Sequence, residues 1–170
     1  ASENDLISFK VSCDTGMCKT AMRKLEAKYL GEHNLLGEWV NVGFGVRLAD
    51  NTFEYLDYGT FLVTEITTTK DTGITQIVAY DKMVETMRIY EILDIAYPIS
   101  LFDYTKKICS VCGLELANET IINGTWNITE DLWKNIDGIT YRDILVQIAQ
   151  ATASTCIIGA DNKIYFKLIF

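Results

Sequence analysis

A chain of 170 residues, 49% hydrophobic and 22% charged, is long enough to bury a core and too ordinary in composition for a disordered or fibrous protein. Its 15 basic residues against 23 acidic ones leave a net charge of −8, which repels a phosphate backbone and argues against a nucleic-acid partner. No apolar run approaches the ~20 residues of a membrane helix, no secretory signal opens the chain, and five Cys cannot all pair within it, which fits synthesis in a reducing cytoplasm better than a disulfide scaffold.

The chain begins with Ala and ends inside an apolar alternating run, so it reads as a piece trimmed from a longer protein. Leu6–Val11 alternates, with Ile7, Phe9 and Val11 on one face, and predicts a half-buried strand. A polar loop follows over Cys13–Thr20. Thr20–Leu30 has helical spacing, with Cys18, Met22, Leu25 and Tyr29 three or four apart and Gly31 as the stop. Trp39–Leu48 is the cleanest strand: Val40, Val42, Phe44, Val46 and Leu48 share one face, while Gly43 and Gly45 on the other imply a bend or the close approach of another backbone. A turn at Ala49–Thr52 leads to a short strand, Phe53–Tyr58.

Glu54–Met83 is the stretch around which the remainder is arranged. It holds two runs rich in β-branched and aromatic residues, Thr60–Thr67 and Ile74–Tyr80, separated by the turn tetrad Lys70-Asp71-Thr72-Gly73. This predicts a β-hairpin whose second strand enters a helix at Asp81, with Met83, Met87 and Tyr90 at helical spacing. Five short strands in the first 80 residues suggest a small antiparallel barrel or sandwich.

Beyond Tyr97-Pro98 the character is helical. Ser100 with Asp103 forms a capping pair for a helix whose stripe is Leu101, Tyr104, Ile108 and Val111 and whose C-terminal residue is Gly113. Asn118–Gly138 is polar and mixed, with Trp126 and Trp133 as anchors. Thr140 with Asp143 caps a further helix, Tyr141–Thr152, with Ile144, Leu145, Ile148 and Ala149 inward. Cys156–Gly159 and Lys163–Phe170 read as a closing hairpin around Ala160-Asp161-Asn162, with Ile164, Phe166, Leu168 and Phe170 on one face. The class is therefore α+β: a small antiparallel barrel or sandwich over 1–85, then a helical α/β domain with a closing β-hairpin over 86–170.

Chemistry-bearing motifs are few. Cys109-x-x-Cys112 suggests a redox dithiol or half of a zinc site with Cys13 and Cys18. The pair lies at the end of a helix, however, where the dipole disfavours a thiolate, and Cys13-x4-Cys18 is loose for zinc; two small apolar residues are the favoured reading. Asn118, Asn123 and Asn127 each head a glycosylation sequon, a pattern that also arises by chance in Asn/Thr-rich loops. His33 is the sole histidine, which excludes a multi-His metal site, and no nucleophile elbow accompanies it. Glu130-Asp131 reads as surface charge at a helix start. No catalytic, cofactor-binding or metal-binding residue is assigned, and no cofactor is implied.

Several segments together carry a resemblance. Phe53 to Val63, FEYLDYGTFLV, resembles the acidic-aromatic strand with G-T-F-x-V of phage tail-hub proteins, and Ala79-Tyr80-Asp81-Lys82-Met83 resembles that family's strand-to-helix junction. Tyr97-Pro98, Leu101 to Leu114 with its Cys-Gly-Leu end, Thr140 to Leu145 with Ile148-Ala149, and Gly159 to Ile164 follow in the family's order, so the resemblance spans residues 38–170. The family is the baseplate hub and tail-associated proteins of long-tailed phages and prophages. The resemblance implies a virion component at the tail tip, made in the bacterial cytoplasm. It implies a ring, a trimer in the full-length protein, that contacts the distal tail and tape-measure proteins around a channel for DNA. Longer members continue into receptor-binding or peptidoglycan-cleaving domains. No catalytic residue carries over, neither specific nucleic-acid binding nor membrane insertion is expected, and an acidic wall would keep DNA from sticking.

Two other classes compete. A cell-wall hydrolase fragment would need a pocket with perturbed carboxylates, with Glu130, Asp131 and Asp143 as candidates. A secreted glycan-binding module would use Trp126 and Trp133 as a stacking platform.

Overall fold

A computed structural model describes residues 5–14 and 16–168. In chain order the strands are β1 (Leu6–Cys13), β2 (Thr20–Ala21), β3 (Arg23–Leu30), β4 (Trp39–Arg47), β5 (Phe53–Thr69), β6 (Ile74–Asp81), β7 (Ile99–Ser100), β8 (Asn127–Ile128), β9 (Ser154–Ile158) and β10 (Ile164–Leu168), and the helices are α1 (Leu101–Val111) and α2 (Tyr141–Ala151). The chain divides into two compact units, Ala1–Asp14 with Met22–Lys82, and Thr15–Ala21 with Met83–Phe170.

The first unit is one antiparallel sheet in the order β1-β3-β6-β5-β4, curled into a half-barrel. Its core is a single face of that sheet: Leu25 and Ala27 from β3, Phe61 and Val63 from β5, Ile77 and Ala79 from β6, flanked by Val11, Tyr29, Val40 and Val42. On β3 these residues alternate with Lys24, Glu26 and Lys28, as a sheet with one solvated face requires, whereas Leu62 and Val78 interrupt the polar face on β5 and β6. The turn between β5 and β6 is the tetrad expected from sequence. Gly73, at φ +61°, donates its N–H to Thr69 O at 2.9 Å.

Three expectations are corrected here. Arg23–Leu30 is a strand, where helical spacing predicted a helix over Thr20–Leu30. The same letters carry both periods: Leu25, Ala27 and Tyr29 also alternate with Lys24, Glu26 and Lys28. Pairing with β1 on one side and β6 on the other decides between them. The short strand Phe53–Tyr58 and the first strand of the hairpin are one 17-residue strand, continuous through a bulge. The helix expected from Asp81 is a 3-10 turn, Lys82–Met87, after which the chain runs without a helix to Leu101.

In the second unit, β9 pairs antiparallel with β10 and parallel with β2. Helix α1 starts at Ser100, whose Oγ accepts the N–H of Asp103 at 3.0 Å. It ends in a Schellman pair, with Leu114 N–H on Cys109 O at 2.9 Å and Gly113 N–H on Ser110 O at 3.0 Å. Helix α2 carries a complete capping box between Thr140 and Asp143. Both helices bury the expected stripes, Leu101, Tyr104 and Ile108 in α1, and Ile144, Leu145, Ile148 and Ala149 in α2. Val111, expected in the α1 stripe, is half-buried. In the closing hairpin Ile164 and Phe166 are buried and Leu168 is exposed; Phe170, expected on the same face, lies outside the described residues.

Candidate assembly surface

The half-barrel carries an arm. Residue pairing between β4 and β5 runs from Trp39↔Leu62 to Val42↔Gly59, then jumps to Gly43↔Asp57, leaving Tyr58 as an extra residue in β5. The bulge is built locally. Gly59 takes φ +97°, a conformation that penalises any Cβ, and its N–H is held by Asp57 Oδ1 at 2.7 Å. Arg23 Nη1 donates to the carbonyl of Tyr58 and so fixes the bulge from β3.

Beyond the bulge β5 loses its second neighbour, because pairing with β6 begins only at Phe61↔Asp81. Gly43–Arg47 and Phe53–Asp57 therefore form a two-stranded ribbon, closed at its tip by Leu48 and Thr52, with the N–H of Leu48 on Thr52 O at 2.8 Å. Opposed residues share a face. Phe44 opposes Leu56 and Val46 opposes Glu54 on one side; Gly45 opposes Tyr55 and Arg47 opposes Phe53 on the other. Gly45 leaves room for the Tyr55 ring: a Cβ there would meet it at 2.8 Å and displace it, and Tyr55 in turn stacks on Phe53 with centroids 6.1 Å apart. Of the bend or close backbone approach expected at the glycines, the bend is present as the bulge at Gly43, whereas the neighbour at Gly45 is the Tyr55 side chain and not a backbone.

Apolar side chains thus occupy both faces of the ribbon, with Phe44 49%, Phe53 55%, Leu56 59% and Tyr55 63% exposed. Full burial of such a side chain is worth about 1.5–3 kcal/mol, and isolated two-stranded ribbons are marginal in water. Clustered exposure of this kind marks an interaction surface. The periodicity of Trp39–Leu48 predicted one buried face over its whole length. Val40 and Val42 follow it, whereas Phe44, Val46 and Leu48 do not, because the sheet beneath them ends at the bulge.

The other candidate residues have structural occupations. Glu130 is exposed and paired with Lys134 at 3.2 Å. Asp131 is buried, with Tyr90 Oη donating to its Oδ2 at 2.8 Å and the Trp133 N–H to its Oδ1 at 2.9 Å. Burial, first, and the neighbouring Asp131 raise the Tyr90 phenol to about 12. Asp143 serves the α2 cap, and the hydroxyl of Thr140 holds its carboxyl below the usual range. The three carboxylates thus have different partners. Trp133 is 5% exposed and stacks on Tyr104 at 5.3 Å, whereas Trp126 is 59% exposed, so the two rings form no common platform.

Cys109 and Cys112 lie at the C-terminal end of α1 as expected, both buried. Burial pushes the Cys109 thiol up to about 12 and raises Cys112 as well. Among the described residues no group of three or more His, Cys, Asp or Glu side chains is placed to hold a metal ion. His33 sits in a loop with Nε2 2.8 Å from Leu30 O.

Two of the sequon asparagines have roles that sequence reasoning did not see. Asn118 acts as a strand neighbour for β10: its Nδ2 donates to Phe166 O at 3.1 Å and its Oδ1 accepts the Phe166 N–H at 2.8 Å. Asn123, at φ +58°, donates from Nδ2 to Ala151 O at 2.7 Å and caps the end of α2. An attached glycan would replace one of the two Nδ2 hydrogens and crowd both contacts. Only the φ-permissive Asn in a turn-rich loop hinted at this.

No family model and no curated protein sequence matches the chain. Its fold recurs in solved structures, among them two tail proteins. The 43 kDa tail protein of prophage MuSo2 from Shewanella oneidensis aligns over 96% of this chain and 52% of its own, at 13% identity and a TM-score of 0.55. The tail protein from Neisseria meningitidis MC58 aligns over 85% of this chain and 41% of its own, at 14% identity and a TM-score of 0.55. The chain therefore spans about half the length of these proteins, and its fold is that of a segment of a phage tail protein.

Proposed function

We propose that this chain is a structural segment of a phage or prophage tail, a component of the tail-tip hub that acts by docking on neighbouring tail proteins and performs no catalysis. The observation that carries this reading is that 96% of the chain takes the fold of a prophage tail protein. The exposed β4–β5 arm supports it, because an assembly component must present apolar surface that a free monomer would bury. The ordered motifs from Phe53 to Ile164 support the hub position within the tail. In this reading the protein self-associates into a ring, contacts the distal tail and tape-measure proteins, and resides in the virion. Among the described residues no helix is long and apolar enough to cross a membrane.

The hydrolase reading has less support, since Glu130, Asp131 and Asp143 are each engaged by a structural partner. The test is location. Tail particles purified from an induced lysogen that carries this sequence should contain the chain by mass spectrometry, and antibody to it should label one end of the tail. Particles that lack the chain, or label spread along the tube, would overturn the proposal.

A further inference from the structure

One turn of the second unit serves two helices. Over residues 121–126 the Gly124 N–H donates to Ile121 O at 3.0 Å and the Trp126 N–H to Asn123 O at 2.9 Å. Two first-turn N–H groups of α1 end on this turn: that of Phe102 donates to Gly124 O at 2.9 Å and that of Leu101 to Trp126 O at 2.7 Å. The last carbonyl of α2, that of Ala151, accepts from Asn123 Nδ2 at 2.7 Å. Such groups have no partner inside their own helices, so the turn supplies what both helix ends lack.

The packing selects both letters at its centre. Residue 123 has φ +58° and carries an amide donor, a combination that Asn meets at little steric cost. At Gly124, which is buried, a Cβ would stand 2.9 Å from the Ile121 carbonyl oxygen and 3.3 Å from Phe102 Cβ, so glycine fits without a shift of backbone. Asn-Gly occurs at this one place in the sequence. It is also the dipeptide in which the side-chain amide is least shielded, because no side chain on the second residue screens its backbone nitrogen.

We propose that Asn123–Gly124 is a self-modification site that folding holds shut and that irreversibly marks a chain left open. In the open chain the Gly124 backbone nitrogen, losing its proton, attacks Cγ of Asn123. The new N–C bond closes a succinimide as the Cγ–Nδ2 bond breaks, and ammonia leaves with that proton. Water then opens the ring at either carbonyl, giving aspartate or isoaspartate at position 123. The fold opposes the first step twice: the Gly124 N–H is engaged by Ile121 O, and the Asn123 amide is held on Ala151 O. Neither product rebuilds the turn. Aspartate sets a carboxylate against the Ala151 carbonyl at the negative end of α2. Isoaspartate adds a methylene to the main chain ahead of Gly124 and shifts the carbonyl that Phe102 uses. The chemistry is independent of what the chain assembles with.

Peptide mapping by mass spectrometry of the full chain, kept at pH 8 and 37 °C with and without guanidinium chloride, tests it. In the unfolded chain the peptide containing Asn123 should be the first of the Asn peptides to exchange ammonia for water. In the folded chain it should do so about tenfold or more slowly, since reaction then waits on opening. Asn123→Asp, which fixes one product in place, should lower the urea midpoint, and by more than Asn123→Gly, which removes the donor and adds no charge. Wild-type chain deamidated in guanidinium chloride and then refolded gives the same comparison where a variant fails to fold. Equal rates in the folded and unfolded chain, an unfolded chain in which another Asn reacts first, or a deamidated chain with the midpoint of the intact one would each overturn the proposal.

Discussion

The carboxylate of Asp81, at the end of β6, lies fully buried with its Oδ2 2.9 Å from Nε of Arg23 at the start of β3. The same oxygen accepts the Arg23 backbone N–H at 3.1 Å, and the guanidinium stacks over the Phe61 ring at 5.3 Å. Arg23 also holds the Tyr58 carbonyl at the bulge, so one side chain ties β3, β5 and β6 together where the arm leaves the sheet. Removing one partner of a buried ion pair strands the other's charge. Asp81→Ala should therefore cost about 3–5 kcal/mol in urea unfolding. Arg23→Met should cost a comparable amount, and the double variant should cost less than the sum of the two, by a cycle coupling of 0.5 kcal/mol or more on the ~0.5–3 kcal/mol scale of contacting pairs. Additive losses would show that the pair is not coupled.

The capping box at Thr140 and Asp143 predicts a pH-dependent loss. Thr140→Ala should destabilise by about 1 kcal/mol at pH 7. The Thr140 hydroxyl and backbone N–H hold the folded Asp143 carboxyl below its ordinary value. A depressed carboxyl stabilises the fold above its unfolded pKa, near 4, and that contribution fades as pH falls through the lower folded value. The gap between wild type and Thr140→Ala should thus narrow in urea melts below about pH 4. A gap unchanged at pH 2.5 would show that the carboxylate takes no part.

The hydroxyl of Tyr97 is buried without a hydrogen-bond partner among the described residues, whereas that of Tyr104 lies beside the Tyr90 hydroxyl. An unsatisfied buried polar atom costs about 1–3 kcal/mol. Tyr97→Phe removes the orphan oxygen, so it should leave thermal stability equal or higher. Tyr90→Phe takes a donor from buried Asp131 and should cost about 1–3 kcal/mol. A Tyr97→Phe variant more than 1 kcal/mol less stable would reveal a bound water as its partner.

Thiol titration should divide the cysteines by burial. In the folded chain at pH 8 Ellman's reagent should modify Cys13 and Cys18 and spare Cys109, Cys112 and Cys156, which are buried. The Cys109 thiol, pushed to about 12, stays protonated there. Because its folded pKa lies above the unfolded value, its contribution to stability is present below about pH 9 and is lost as pH rises towards 12. Rapid labelling of Cys109 in the native state would contradict the described packing.

The net charge of −8 predicts that the chain ignores DNA even at low salt. No retardation of duplex DNA is expected at 20 micromolar protein in 10 mM salt. Tight binding would remove the argument for an acidic wall along a DNA channel.

The local features of the fold were legible because their partners lie close along the chain. Ser100 with Asp103, Thr140 with Asp143 and the Lys70–Gly73 turn all act across three or four residues, and each stands where the letters place it. Tyr141–Ala151 and Leu101–Val111 follow, since a cap and an apolar stripe agree over the same segment. Arg23–Leu30 was misread because its letters satisfy periods of 3.6 and 2 equally well. The contacts of Asn118 and Asn123 could not be read from their sequons, because their acceptors, the Phe166 and Ala151 carbonyls, lie 48 and 28 residues away.

Composition and charge, caps, turns and apolar alternation are written in the letters, the last three because their partners lie within one or two turns, and a motif order resembling tail-hub proteins runs along the whole chain. Only the tertiary structure decided that Arg23–Leu30 is a strand, that Asp81 is buried against Arg23, and that Phe44, Tyr55 and Leu56 face solvent on an arm. Each of those outcomes depends on which strand lies alongside which. Asp81 and Arg23 meet across 58 residues, and no pattern within either segment encodes that register.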